Sequence, residues 1–114
     1  MRPPSPLIES EDMKKHTVYI SGPMTNLPGY NYPAFHEAAD RIRGLGHEVI
    51  NPAVTGIMDT DHLENPTWHD FMISAINRMR NATAIHQMEG HESSAGARME
   101  AIAAEYMGLE RVEL

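Results

Sequence analysis

The stretch Thr17-Val-Tyr-Ile20, followed at once by Ser21-Gly22-Pro23-Met24, decides the fold of this chain. Its β-branched and aromatic residues predict a short buried strand, and the Gly-Pro pair predicts the turn that ends the strand. Further short strands are predicted at residues 47–50, 82–86 and 111–114. Apolar residues at helical spacing lie between the strands, at residues 34–43, 68–79 and 97–107.

The alternation of strands and helices predicts an α/β fold, because strands joined through helices pair in parallel with right-handed crossovers. We expect a small flavodoxin-like or Rossmann-like three-layer sandwich with a central parallel sheet of four to five strands. On the helix over residues 68–79, a core stripe is predicted at Trp68, Met72, Ile76 and Met79. Residues 53–67 are rich in Asp, Thr, Pro and His and predict a loop.

The length of the chain and the composition of its first residues indicate the domain organisation. A chain of 114 residues fits one domain, because two cores would each have too few residues to be stable. Residues 1–15 are proline-rich and then acidic, which predicts a flexible N-terminal arm ahead of a domain over residues 16–114. The arm lacks the apolar segment of a secretory signal, so a cytoplasmic location is expected.

Charge and residue types exclude several function classes. The formal net charge is −7, whereas a protein that binds DNA or RNA normally presents a basic face, so no nucleic acid polymer is expected as a partner. No apolar run approaches the ~20 residues that span a bilayer, so no membrane partner is expected. The absence of cysteine excludes thiolate chemistry, and scattered histidines argue against a metal; we expect neither metal nor cofactor.

Ligands of an open parallel sheet bind outside the carboxyl ends of its strands. Three segments follow predicted strands and meet at that edge: residues 21–24, residues 51–52 and residues 88–96. Glycine permits close approach of a ligand to the backbone, and a Gly/Ser loop ahead of a helix suits an anion. Neither loop matches a Walker A or a G-x-G-x-x-G pattern, so each is either an ordinary turn or part of a binding site.

Glu100 is the acidic residue with two opposed interpretations. It lies on the predicted helix over residues 97–107, one turn past the Ser94-Ala-Gly96 loop and among alanines, a methionine and an isoleucine. A carboxylate there is either an exposed charge on the helix surface or a buried functional acid. Spacing alone leaves both readings open.

Four segments together resemble a known family. Residues 19–24 (YISGPM), 31–35 (NYPAF), 46–52 (GHEVINP) and 90–100 (GHESSAGARME) look like the DUF4406 family, small proteins that are common in phages and prophages and similar to nucleoside 2-deoxyribosyltransferases. The resemblance covers roughly residues 17–114. It extends to deoxynucleoside 5′-monophosphate N-glycosidases, whose Ser-x-Gly-x-x-x-Glu stretch is matched here by Ser94, Gly96 and Glu100.

The resemblance implies a retaining glycosyl transfer on a deoxynucleoside or its 5′-monophosphate. Glu100 would be the nucleophile that attacks C1′, and Tyr19 would hydrogen-bond to it and orient it. Water would then complete a hydrolysis, and a second base would complete a transfer. The residues that the resemblance assigns to substrate binding are Ser21, Gly22, Pro23, Met24, Asn31, Asn51, Gly90, Ser93, Ser94 and Gly96. It also implies a homodimer or higher homo-oligomer.

The chain departs from the related enzymes at two acidic positions. Where those enzymes carry an Asp on the helix before the third strand and another at the start of that strand, this sequence has Ala75 and Thr83. Asp70, further up the same helix, either takes over as a catalytic acid or caps the first helical turn. A non-catalytic nucleotide-binding module, and a structural protein with a vestigial pocket, therefore stand beside the enzyme as alternatives.

Overall fold

The computed structural model describes residues 14–114, which form a parallel β-sheet flanked by helices. The arm predicted for residues 1–15 lies outside the described residues, apart from Lys14 and Lys15. In chain order the elements are β1 (Thr17–Ser21), α1 (Tyr32–Gly44), β2 (Glu48–Ile50), α2 (Pro52–Thr60), α3 (Trp68–Met79), β3 (Ala84–Gln87), α4 (Ala95–Met107) and β4 (Glu110–Val112). Single 3₁₀ turns at Pro28–Asn31 and His91–Ser93 precede α1 and α4.

The sheet confirms the predicted α/β class. Its strand order is β2-β1-β3-β4, and every neighbouring pair is parallel. From β1 the chain passes outward to β2 and then crosses back over β1 to β3. This order matches the first four strands of the flavodoxin-like arrangement, in which ligands bind where the direction of winding reverses, between β1 and β3.

Alternation along β1 divides the interior into two cores. Val18 and Ile20 pack on one face of the sheet against the buried side of α1, which consists of Phe35, Ala38, Ala39 and Ile42. Tyr19 packs on the other face, in a cluster with Ala75 and Met79 of α3, Ile85 of β3 and Ala104 of α4. Helices therefore cover both faces, which gives the three predicted layers.

The prediction of a loop over residues 53–67 is wrong for the first half of that range, which forms the helix α2. Asn51-Pro52 serves here as a helix start: the Asn51 side chain accepts a hydrogen bond from the Ala53 N–H at 3.0 Å, and Pro52 occupies the first turn. Both residues favour these positions because the cap satisfies a free N–H and proline lacks one. The same pair also ends β2, and that is the only role the sequence pattern indicated.

The core stripe predicted for α3 is wrong at two of its four positions, although the bounds of the helix are as expected. Trp68 and Ile76 are exposed, and the side that faces the sheet carries Ala75 and Met79. The small Ala75 packs in the cluster around Tyr19, and the neighbouring Ile76 is exposed. None of the helices in residues 14–114 has both the length and the apolar character of a membrane span.

Candidate functional site

Glu100 is buried beneath the carboxyl edge of β1, and two hydroxyl groups donate hydrogen bonds to it. The Tyr19 hydroxyl donates to Oε2 at 2.8 Å, and the Ser21 hydroxyl donates to Oε1 at 2.6 Å. Tyr19 and Ser21 are two residues apart on one strand, so both side chains point to the same face of the sheet. Glu100 lies on α4 between the buried Ala97 and Ala104, whose small side chains let the helix pack close to β1.

Burial sets the protonation of this carboxyl group. It raises the pKa of Glu100 from 4.5 to about 7, and the hydrogen bonds from Ser21 and Tyr19 offset part of that rise. The pKa of the Tyr19 hydroxyl is raised well above 10 by burial and then by the neighbouring carboxylate, so Tyr19 stays a donor. Near neutral pH, Glu100 therefore exists in both forms, and the ionised form accepts one hydrogen bond at each oxygen.

A cleft of about 520 Å³ opens above Glu100 at the carboxyl edge of the sheet. Its lining comes from the loop after β1, the starts of α1 and α2, the first two turns of α3 and the start of α4. Six residues predicted for the site line the cleft: Tyr19, Gly22, Met24, Ser94, Gly96 and Glu100. The structure thus brings the two loops that flank β1 and α4 to the same carboxylate.

Ser21 lies behind the lining rather than in it. Its side chain is fully buried, and its hydroxyl is turned onto Glu100. The resemblance implied a contact with substrate at this position, whereas the hydroxyl donates a hydrogen bond to Glu100. Ser21 therefore acts as a positioning residue for Glu100.

Pro23, Asn31, Gly90 and Ser93 also lie outside the cleft lining, and they make hydrogen bonds within each of the two loops. The Asn31 amide donates to the Pro23 carbonyl at 3.0 Å, and the Ser93 hydroxyl donates to the Gly90 carbonyl at 2.9 Å. A Cβ on Gly90 would lie 3.4 Å from Pro23 Cγ, and the φ of Gly90 is +86°, which favours glycine. These four residues shape the loops whose other members line the cleft.

Asn51 was expected to line the pocket, and the structure gives it a different position. It is buried at the N-terminus of α2, and its amide lies 3.2 Å from His36 Nδ1 in addition to its capping contact. Its effect on the cleft is indirect, because the cap fixes where α2 begins. Thr55 and Gly56 of that helix do line the cleft.

Asp70 lies outside the cleft, and its contacts match the capping interpretation. Its carboxylate accepts hydrogen bonds from the backbone and side chain of Thr67, while the Thr67 hydroxyl accepts from the Asp70 N–H, which is a capping box. These hydrogen bonds lower the pKa of Asp70. Ala75, in contrast, lines the cleft, and Thr83 bonds to the Thr17 N–H at the opposite edge of the sheet.

Aromatic and apolar side chains form most of the cleft walls, and the sequence patterns did not indicate them. They are Tyr30, Tyr32, Phe35, Trp68, Phe71 and Met72. Trp68 was predicted as a member of the core stripe of α3. Only the packing of α3 against α4 places it at the cleft, where its Nε1 would lie 3.8 Å from a Cβ added to Gly96.

An ion pair between α2 and α3 holds one wall in place. The Arg78 guanidinium forms two hydrogen bonds to Asp59, at 2.6 and 2.9 Å, and the Ser74 hydroxyl donates to the same carboxylate at 2.7 Å. These contacts lower the pKa of Asp59 from 3.8 to about 2. Within residues 14–114, no three His, Asp or Glu side chains cluster as metal ligands.

The fold and the cleft define a small parallel α/β domain with one buried acid at the ligand-binding edge of its sheet. The chain belongs to the family described as Domain of unknown function (DUF4406), whose model matches residues 16–112. Neither a curated protein nor a solved structure matches the chain.

Proposed function

We propose that this protein is a nucleoside 2-deoxyribosyltransferase-like enzyme that cleaves or transfers the N-glycosidic bond of a deoxynucleoside or its 5′-monophosphate. The observation that carries the proposal is the arrangement at Glu100: a buried carboxylate at a cleft, with a hydroxyl donor on each oxygen. Such an acid resembles the nucleophile of a retaining glycosyl transfer.

In the proposed reaction, the ionised Glu100 attacks C1′ of the deoxyribosyl group. The C1′–N bond breaks, its electron pair leaves with the base, and the base takes a proton from solvent. A glycosyl ester on Glu100 results. Water or the nitrogen of a second base then attacks C1′, loses a proton, and releases the carboxylate. Tyr19 and Ser21 each donate to one oxygen of this carboxylate and hold it in place, so one of the two hydroxyls also contacts the oxygen that attacks C1′.

The test is release of free base from a panel of 2′-deoxynucleosides and their 5′-monophosphates, measured by chromatography. We expect release by the unmodified chain, its loss in Glu100→Gln, and a rate that rises with pH through about 7 because the ionised acid is required. Glu105→Gln makes the same change at an exposed position on α4 and should leave the rate unchanged. Failure of every substrate to release base would contradict the proposed activity.

A non-catalytic nucleotide-binding module is the second candidate, and one observation favours it. Among residues 14–114, Glu100 is the one acidic side chain that lines the cleft, and Ala75 lines it at the position where the resemblance places an Asp. Binding needs the cleft but no second acid. This candidate predicts that a nucleoside or nucleotide raises the melting temperature without turnover, equally in the unmodified chain and in Glu100→Gln.

A further inference from the structure

We propose that the cleft selects an uncharged nucleoside over its 5′-monophosphate. This inference rests on the proposed function and decides between the two substrate classes that the function leaves open. It is argued from the charges of the cleft, from the positions of the cations and from the start of α4.

The lining of the cleft is neutral apart from Glu100. Within the part of the chain that the structure describes, no Lys, Arg or His side chain lines it. Its polar groups include hydroxyls, such as those of Thr25, Thr55 and Ser94, and its remaining surface is largely aromatic and aliphatic. Hydroxyls and aromatic faces suit the sugar and the base of a nucleoside, whereas a phosphate dianion is recognised by cations or by several convergent N–H groups.

None of the described Lys and Arg side chains lines the cleft, and five of them have other positions or other partners. Arg78 is bound to Asp59, and Arg98, the cation nearest in sequence to the Ser94-Gly96 loop, donates to the Glu92 carbonyl at 2.8 Å. Lys14, Lys15 and Arg80 precede β1 and β3, so they lie at the edge of the sheet opposite the cleft. A phosphate in the cleft would therefore face the carboxylate of Glu100 without an opposing charge from these side chains.

The start of α4, where an anion site was anticipated, is already capped from within the chain. The Ser94 hydroxyl accepts a hydrogen bond from the Ala97 N–H at 3.2 Å. One of the free donors of the first turn is therefore occupied by a side chain that the resemblance assigns to substrate binding. Arg98, in the same turn, donates to the Glu92 carbonyl and does not line the cleft, so the charged side chain that this turn and the cleft share is Glu100. The remaining N–H groups and the Ser94 oxygen suit a neutral hydroxyl group better than a dianion.

The experiment compares each of four 2′-deoxynucleosides with its own 5′-monophosphate by titration calorimetry at low ionic strength, using the full chain. We expect at least one nucleoside to bind about tenfold or more tightly than its monophosphate, because like charges repel in a partly desolvated site. Added salt should reduce the difference in affinity between the nucleoside and its monophosphate. Glu100→Gln, which removes the repelling charge, should narrow it as well.

Two charge-adding variants form a matched pair. Thr25→Lys places a cation on the cleft lining and should shift the preference toward the monophosphate. Tyr106→Lys makes a similar gain of positive charge at an 87% exposed position near the end of α4 and should leave the preference unchanged.

If ligands bind but no nucleoside binds more tightly than its own monophosphate, this inference is overturned and the proposed function stands. If neither series binds and no base is released, the proposed function fails, and the inference fails with it.

Discussion

Replacing Glu100 by glutamine should stabilise the protein at alkaline pH and leave it nearly unchanged at acidic pH. The pKa of Glu100 is raised by burial from 4.5 to about 7, so the folded state prefers the protonated acid. Stability contributed by this group is therefore fully present below pH 4.5 and is lost as the pH rises through 7. A glutamine side chain is neutral at every pH, so the variant does not lose stability as the pH rises.

The magnitude follows from the same pKa difference. At ~1.4 kcal/mol for each tenfold change in proton affinity, the ionisation of Glu100 costs ~3 kcal/mol of unfolding free energy by pH 8 and less than ~1 kcal/mol at pH 5. Glutamine can accept from one hydroxyl and donate to the other, which resembles the protonated acid. The variant should therefore gain ~2 to 3 kcal/mol relative to the unmodified chain between pH 5 and pH 8.

Urea unfolding, followed by circular dichroism at intervals from pH 5 to pH 8.5, measures this difference directly. Glu105→Gln is the matched control, because it removes an exposed carboxylate from the same helix. Its free energy of unfolding should follow that of the unmodified chain. If the Glu100→Gln curve also runs parallel to the unmodified curve over this range, the carboxyl group is not held in the buried site described.

Two further substitutions test the contacts around the cleft. Tyr19→Phe removes the donor to Glu100 Oε2 and should lower the free energy of unfolding in urea by ~1 to 3 kcal/mol. The loss should be larger at pH 8 than at pH 5, because a buried carboxylate then loses a hydrogen-bond partner. An equal loss at both pH values would contradict the contact. Asp59→Asn should cost ~1 kcal/mol at pH 7, since the pair with Arg78 is partly exposed and screened by solvent. The pKa of Asp59 is lowered to about 2, so this contribution is present above pH 3.8 and is lost only as the pH falls through 2; the difference from the unmodified chain should stay constant from pH 5 to pH 8.

The alternation of strands and helices could be predicted from the sequence because it depends on local hydrophobic periodicity. β1 and α3 have strong patterns, and both occur where expected, with β1 extended by one residue to Ser21. The helix α2 was missed because its signal is weak: Asn51-Pro52 ends a strand and starts a helix at the same time. Gly56 in that helix also resembles a loop residue, although a Cβ there would lie 3.5 Å from Phe71.

The walls of the cleft could not be predicted because they depend on how the helices cross. Trp68 and Ile76 both fit the helical spacing of the predicted core stripe, yet Trp68 lines the cleft and Ile76 is exposed. Gly22 shows a related limit. The sequence suggested that its missing Cβ leaves room for a ligand, whereas a Cβ there would lie 3.0 Å from Met88 Cβ, so packing between neighbouring loops also requires the glycine.

The contacts of Glu100, in contrast, follow from the alternation of side chains along β1. Side chains alternate across a sheet, so a strand that buries Val18 and Ile20 under α1 must direct Tyr19 and Ser21 to the opposite face. A helix that packs there with small residues on either side of its acid brings the carboxylate to both hydroxyls. A shift of one residue in the register of β1 would exchange the two faces and leave Glu100 buried without donors. The hydrophobic pattern that sets this register therefore also fixes the geometry of the acid.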